Sequence, residues 1–414
     1  MCGQRDPGAS VAVVIGSVRR LGPRLPDGMA DAAWLWLALR LGLGLVALLV
    51  VVKGAAPQPC NSDDVINGWR TLPPLSNQGI WFPLVGVWQH WDACWYSKIA
   101  AYGYEPGVPS TNFFPLLPFF MGAGAVLTGG NAALAGLIVN AFAFVAALTG
   151  LYQLVRDDFD SQVARRSVLL LAVFPASFFF LAPFTESLFL AGAVWSIAGA
   201  RRGRWDITFV ASLAAGLARP QGLVLVLPLA WEALRTLRAR IAEGHGWRHL
   251  RPADGKPLLT ALTPAAAYIG FLAYTMVVVR VPYFGAHGAW ASTALAAPWD
   301  PILAAFGYAV SHHDPAVLMG GTLFVFFALL TIGGIRRLPA SYTLYSVPQM
   351  ILMTTQQTAW PMMSTIRYLA VLFPCFVVLA VIGRRDRFNT GWIVVSTMLL
   401  GYFAAQFVAG AMVG

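Results

Sequence analysis

The sequence predicts an all-α polytopic membrane protein of about eleven transmembrane helices, and three observations carry that prediction. Of 414 residues, 58% are hydrophobic and only 11% are charged, against roughly 45–50% and 25% in soluble domains. The apolar residues fall in runs long enough to span a bilayer. Finally, 21 of the 28 Lys and Arg residues sit in six segments between those runs. A soluble globule is excluded. The net charge of +10 flanks a membrane instead of forming one basic face, so nucleic acid is not expected as a partner and the lipid bilayer is.

The six basic segments are 1–33, 154–166, 201–205, 233–257, 336–337 and 384–387. The positive-inside bias makes them cytoplasmic, and an even number of crossings must then separate each pair. The first span is 34–52, preceded by Arg19, Arg20 and Arg24. Residues 9–18 are too short to span and lack a cleavage site, so this span reads as an uncleaved anchor. A long outer loop, 53–130, follows. Within it, 90–104 reads as a helix lying flat at the membrane surface, because Trp91, Trp95, Tyr96, Tyr102 and Tyr104 suit the headgroup level. Asp92, Tyr96 and Ile99 would share one face, with Trp91 and Trp95 beside them. Pro115 and Pro118 delay the next helix to about residue 118. The apolar piece 113–128 is too short to cross and reads as re-entrant or membrane-skimming.

Residues 131–153 form the second span. The next stretch turns at Pro183-Phe184-Thr185-Glu186, giving two short crossings, and Thr185 is placed to cap the returning helix. Residues 206–232 break likewise at Arg219-Pro220-Gln221-Gly222, since Pro and Gly end helices and Arg is costly in lipid. Spans 258–281, 316–335, 341–356, 366–383 and 391–413 complete the count, with the N-terminus inside and the C-terminus outside. Only three of the basic residues are Lys, a bias that fits GC-rich coding and points to a bacterial plasma membrane.

This topology collects Asp92, Glu105, Glu186, Arg219, Asp300, Gln356, Gln357 and Arg367 at the outer face. Polar groups at membrane depth cost several kcal/mol unless paired or hydrated, so the expectation is one outward-open cavity lined by them. Arg367 stands near the N-terminus of a span, against the helix dipole, and calls for an anionic partner: Asp92, Glu186 or a ligand phosphate. Lys98 points elsewhere on its helix. His287, Trp290, His312, His313 and Asp314 fall in the outer loop 282–315, but adjacent histidines diverge on a helix and no third-ligand spacing supports a metal. No P-loop, dinucleotide fingerprint or nucleophile elbow is present. Cys60 and Cys94 share the first outer loop; whether they are joined is left open.

Taken in order, Trp91-Asp92-Ala93-Cys94-Trp95-Tyr96, Asn112-Phe113-Phe114-Pro115-Leu116-Leu117-Pro118, Phe184-Thr185-Glu186-Ser187-Leu188-Phe189, Ala218-Arg219-Pro220-Gln221-Gly222 and Ile366-Arg367-Tyr368 resemble the PIG-V-type mannosyltransferases. The family usually shows Asn-Gly where this chain has Gln221-Gly222. The resemblance implies a GT-C glycosyltransferase fold, with a cytoplasmic segment 1–33, a transmembrane catalytic domain 34–383 and a C-terminal helix 384–414. It also implies inverting transfer of mannose from a polyprenyl-phosphate-mannose donor to a glycolipid or lipid-linked glycan acceptor, at the outer face. Another polyprenyl-linked sugar, such as arabinose or glucose, and a lipid or glycan transporter are the alternatives. In such enzymes a first-loop carboxylate acts as base, which would be Asp92. Arg219 and Arg367 would hold the donor phosphate, and Glu186, Tyr96, Tyr368, Trp91 and Trp95 would contact substrate. No cofactor and no metal are expected.

Overall fold

The computed structural model describes residues 26–56, 60, 70–106, 108–242, 252–281, 291–295, 297–358, 361–362, 364–384, 386–411 and 413. Helix α1, Met29–Val52, is apolar apart from Asp31 in its first turn and Arg40, and exposes Trp34, Leu41, Leu45, Leu49 and Val52. Such exposed apolar side chains suit a lipid-facing helix. Short helical turns at Pro74–Asn77, Trp81–Leu84 and Gly86–Trp88 lead to α2, Asp92–Tyr102. Helix α3 runs from Leu116 to Ala125, starting two residues before the expected point. Pro118 falls in its first turn, where the missing N–H has no intrahelical acceptor to lose. Ten residues rise about 15 Å, half a hydrocarbon core, so α3 is too short to cross.

Helix α4, Ala132–Asp158, is capped by Asn131, whose side chain accepts from the Leu134 amide. Helix α5, Ser161–Ala172, is capped likewise by Asp160. Then come α6, Glu186–Arg201, α7, Trp205–Ala218, and α8, Val226–Arg240. Helices α6 and α7 approach closely at Gly192, where a Cβ would stand 2.7 Å from the Ala211 carbonyl. Small residues at such crossings are how helices pack without a hydrophobic drive from water. Helices α9, Lys256–Ala261, and α10, Thr263–Tyr274, follow. Strand β1, Ala291–Leu295, precedes α11, Asp300–His312, α12, Pro315–Gly334, and α13, Ala340–Met353. Strand β2, Gln356–Thr358, pairs antiparallel with β1. Helices α14, Thr365–Ala370, α15, Phe373–Ile382, and α16, Asp386–Val408, complete the chain.

The architecture is thus helical, as expected, with one small ribbon among the described residues. Four helical stretches there are long and apolar enough to cross a membrane: 29–52, 132–158, 316–334 and 387–408. The core is aromatic and aliphatic, with Phe144, Phe174, Phe178, Phe180, Phe184, Phe189, Phe327 and Phe373 fully buried.

Among the described residues, segments 154–166, 201–205 and 384–387 meet at one end of the bundle. Arg156 pairs with Asp27 at 2.6 Å, Arg202 with Asp157 at 2.6 Å, and Arg384 with Asp160 at 3.0 Å. Arg201, at the last turn of α6, pairs with Asp158 and with the buried Glu232. The opposite end of α6 carries Glu186, about 22 Å away along the helix. The fold therefore separates two polar ends by the length of its shorter helices.

Candidate active site

Four charged residues from four segments meet at that second end. Arg367, on α14, donates through Nη1 to Asp92 Oδ2 at 2.6 Å, and its Nε faces Glu186 Oε1. Arg219, at the break after α7, donates through Nη1 to the same Glu186 oxygen at 2.6 Å. The result is a chain of alternating sign: Asp92, Arg367, Glu186, Arg219. Its formal charges cancel.

Local chemistry explains each placement. Asp92 is the first residue of α2, where the helix dipole favours a carboxylate. The residue before it, Trp91, has φ 54°, a region that costs a non-glycine residue on the order of 1–3 kcal/mol. Ser364 and Met362, just before Arg367, also have positive φ, at 64° and 56°. Both approaches to the Asp92–Arg367 pair are therefore held against backbone preference. Glu186 begins α6, again at a favourable dipole end, but Thr185 makes no capping bond. Its hydroxyl instead lies 3.5 Å from Tyr96 Oη. Arg219 has extended backbone and ends α7. The turn after it needs Gly222, where a Cβ would stand 2.5 Å from the Ala215 carbonyl.

Aromatic rings hold the cations in place. Arg219 lies 5.0 Å from the Tyr368 ring and 5.9 Å from Phe189. Arg367 lies 5.0 Å from Phe184, 5.6 Å from Phe179 and 5.7 Å from Tyr368. A guanidinium stacked on such faces gains attraction without losing its in-plane donors.

Burial distinguishes the two carboxylates. The Glu186 side chain is 0% exposed, whereas that of Asp92 is 29% exposed. Solvent therefore reaches Asp92 and not Glu186. Glu186 Oε2 is buried and has no hydrogen-bond partner among the described residues. Tyr96 is buried beside the pair, and burial together with the Asp92 charge pushes its phenol upward, keeping it a hydrogen-bond donor.

The structure thus brings together five of the eight residues singled out for chemistry as one network: Asp92, Glu186, Arg219, Arg367 and Tyr368. Tyr96 adjoins it. Trp95 instead stacks on Phe113, with centroids 5.3 Å apart. Trp91 precedes the helix and is exposed, so it does not share a helical face with Trp95. Among the described residues, Arg219, Glu186 and Arg367 pair with one another, where the expectation was polar groups lining an open cavity. Glu105 pairs with Arg70 at 3.2 Å, outside that chain. Asp300 is exposed at the start of α11. Lys98 is buried. Asp314 caps α12, which accounts for it without a metal. His287, Trp290 and the side chains of Gln356 and Gln357 lie outside the described residues.

One contributor escapes the motif reading, and one pairing left open by the sequence is made. Asn140, inside α4, donates through Nδ2 to the carbonyls of Ala182 and Phe184, the latter at 2.8 Å. It fixes the turn that delivers Glu186, and an amide within an apolar run was its visible signal. Cys60 and Cys94 form a disulfide that ties the first turn of α2 to the segment that follows α1.

The helical bundle, with a charged site at the end of its apolar helices, defines an integral membrane protein. Residues 41–291 match the family described as mannosyltransferase (PIG-V), and the chain belongs to that family. It is therefore a glycosyltransferase, as the motifs led one to expect, and membership carries the GT-C class of the fold. No curated protein matches the chain significantly. Among solved structures, it is similar to ArnT from Cupriavidus metallidurans bound to undecaprenyl phosphate. Identity is 12%, with 91% of this chain and 76% of that one covered and a TM-score of 0.48. It is also similar to the Archaeoglobus fulgidus oligosaccharyltransferase, at 12% identity and a TM-score of 0.44; the match covers 92% of this chain but 55% of that enzyme.

Proposed function

We propose that the protein is an inverting mannosyltransferase that moves mannose from polyprenyl-phosphate-mannose to a lipid-linked glycan at the outer face of a bacterial plasma membrane. The observation that carries this reading is the partly exposed Asp92 held 2.6 Å from a buried, ring-stacked arginine. Asp92 accepts the proton of an acceptor hydroxyl. The hydroxyl oxygen then forms the new bond to the anomeric carbon as the bond to the donor phosphate breaks, and polyprenyl phosphate leaves with that electron pair.

The ion-pair chain couples the two halves of this step. Before reaction its charge is balanced. When Asp92 takes up a proton, the network becomes net positive as the departing phosphate gains charge. Arg367 Nη1 is then released from its carboxylate partner and has a donor to offer the phosphate, with Arg219 behind it. Glu186, fully buried, acts through the two guanidinium groups, which it keeps charged and in place. Tyr368, Tyr96, Trp91 and Trp95 border the approach.

Purified protein given polyprenyl-phosphate-mannose and a panel of lipid-glycan acceptors is expected to release polyprenyl phosphate and mannosylated product, with chelator present. Transfer only from another polyprenyl-linked sugar would replace mannose in this reading. Donor binding without turnover on any acceptor, or no donor binding, would sink the enzymatic assignment of this site.

The disulfide supports the outward orientation independently of the charge map, since such bonds form in oxidising compartments. In intact cells, a membrane-impermeant reductant followed by an impermeant maleimide is expected to label Cys60 and Cys94. Reduced enzyme is expected to lose several-fold in kcat, because positioning errors near 1 Å are costly to transfer. Labelling that requires lysis would reverse the orientation.

A further inference from the structure

The C-terminal helix α16 lies outside the residues that match the family, 41–291, yet its last turn packs against the site. Phe407 is completely buried. Its ring lies edge-on to His90 at 5.5 Å between centroids and stacks near Trp88 at 6.5 Å. Both belong to the segment that ends in Asp92. The same ring meets Phe178 at 5.2 Å, Phe179 at 5.7 Å and Phe184 at 5.9 Å. Phe179 and Phe184 are the rings over which the Arg367 guanidinium lies. One side chain therefore touches the approach to the candidate base and the aromatic cradle of its cationic partner.

We infer that Phe407 is a positioning residue that sets Asp92 against Arg367, so that the C-terminal helix completes the active site. This rests on the reading of Asp92 as the base. The junction works by packing. Burial lowers His90 to about 4, so its ring is neutral near neutral pH and adds contact without charge. Trp91, between His90 and Asp92, holds a positive φ, and a backbone in that state persists only while its surroundings over-determine it. Phe407 supplies part of that constraint. Removing its ring leaves both halves of the pair folded but free to shift against each other, and such a shift costs rate more than donor affinity.

The test uses the full chain in lipid nanodiscs, comparing Phe407→Leu and the milder Phe407→Met with Phe376→Leu. Phe376 is an equally buried ring, packed on Phe174 and Phe327. Phe407→Leu is expected to lower kcat about tenfold or more, with donor KM within about twofold of wild type. It is also expected to speed hydrogen exchange at amides 88–93, while Phe376→Leu at matched thermal stability does neither. If Phe407→Leu fails to fold, Phe407→Met carries both readouts. Equal losses in the two positions, or unchanged exchange at 88–93, would overturn the inference and leave the assignment of Asp92 intact. If wild-type protein transfers no sugar, the reading of the reaction fails, and the exchange comparison still decides whether Phe407 holds this turn.

Discussion

Asp92→Asn is expected to lower kcat by about 10²–10⁴-fold, the range a positioned base contributes, while leaving the fold intact. The substitution preserves shape and keeps an acceptor oxygen for Arg367, whose Nη1 now lies 2.6 Å from Asp92. What it removes is the negative charge and the basic lone pair. With a neutral amide in place of the carboxylate, Arg367, Glu186 and Arg219 leave the network net positive, the state we assign to the moment after proton transfer. Polyprenyl phosphate is therefore expected to bind the variant at least as tightly as wild type. A competition assay with labelled polyprenyl phosphate, run beside single-turnover transfer, separates the two effects. Near-normal turnover would remove Asp92 as the base; weakened phosphate binding would remove the coupling of proton uptake to phosphate release.

The second large effect is expected on stability. Glu186 is fully buried and serves two guanidinium groups through one oxygen. Glu186→Gln leaves two buried cations facing a single carboxylate. Breaking a buried pair by removing one partner typically costs about 3–5 kcal/mol, because the remaining charge keeps its desolvation penalty. Reversible unfolding in mixed micelles is expected to show a loss of that order, and Glu186→Gln combined with Arg219→Gln to recover part of it by restoring charge balance. Such non-additivity is what contacting residues display. A Glu186→Gln protein as stable as wild type would show that water reaches the cluster and that burial does not govern it.

Much of this organisation was legible in the sequence, and for identifiable reasons. Long apolar runs and segregated Arg residues follow from the solvent the protein lives in, so the helical membrane class was readable from composition, whereas the acidic partners of Arg156, Arg202 and Arg384 were not. Arg219 and Arg367 stood out because a guanidinium at membrane depth demands a partner. Which partner was not readable. Asp92 and Arg367 are 275 positions apart, and a one-dimensional pattern does not say that four helix ends share one point. The mutual pairing of the charged groups was hidden for the same reason, being a three-dimensional fact. Phe407 was invisible because one Phe among 26 in an apolar helix carries no local signal. Trp91 misled in its geometry, since a helical wheel assumes helical φ, which that residue lacks.

The order in which the four charged residues occur along the chain bears on biogenesis. Arg219 follows Glu186 by 33 positions, so the buried carboxylate acquires its first counter-ion once the next two helices, α6 and α7, are made. Arg367 comes 275 residues after Asp92, a delay of about 15–55 s at ordinary elongation rates. Throughout that interval the nascent protein presents Asp92 without the cation that completes its network. On the proposed reading of Asp92 as the base, a chain that ends before Arg367 is expected to be silent: it would enter the membrane before any sugar donor meets a competent site.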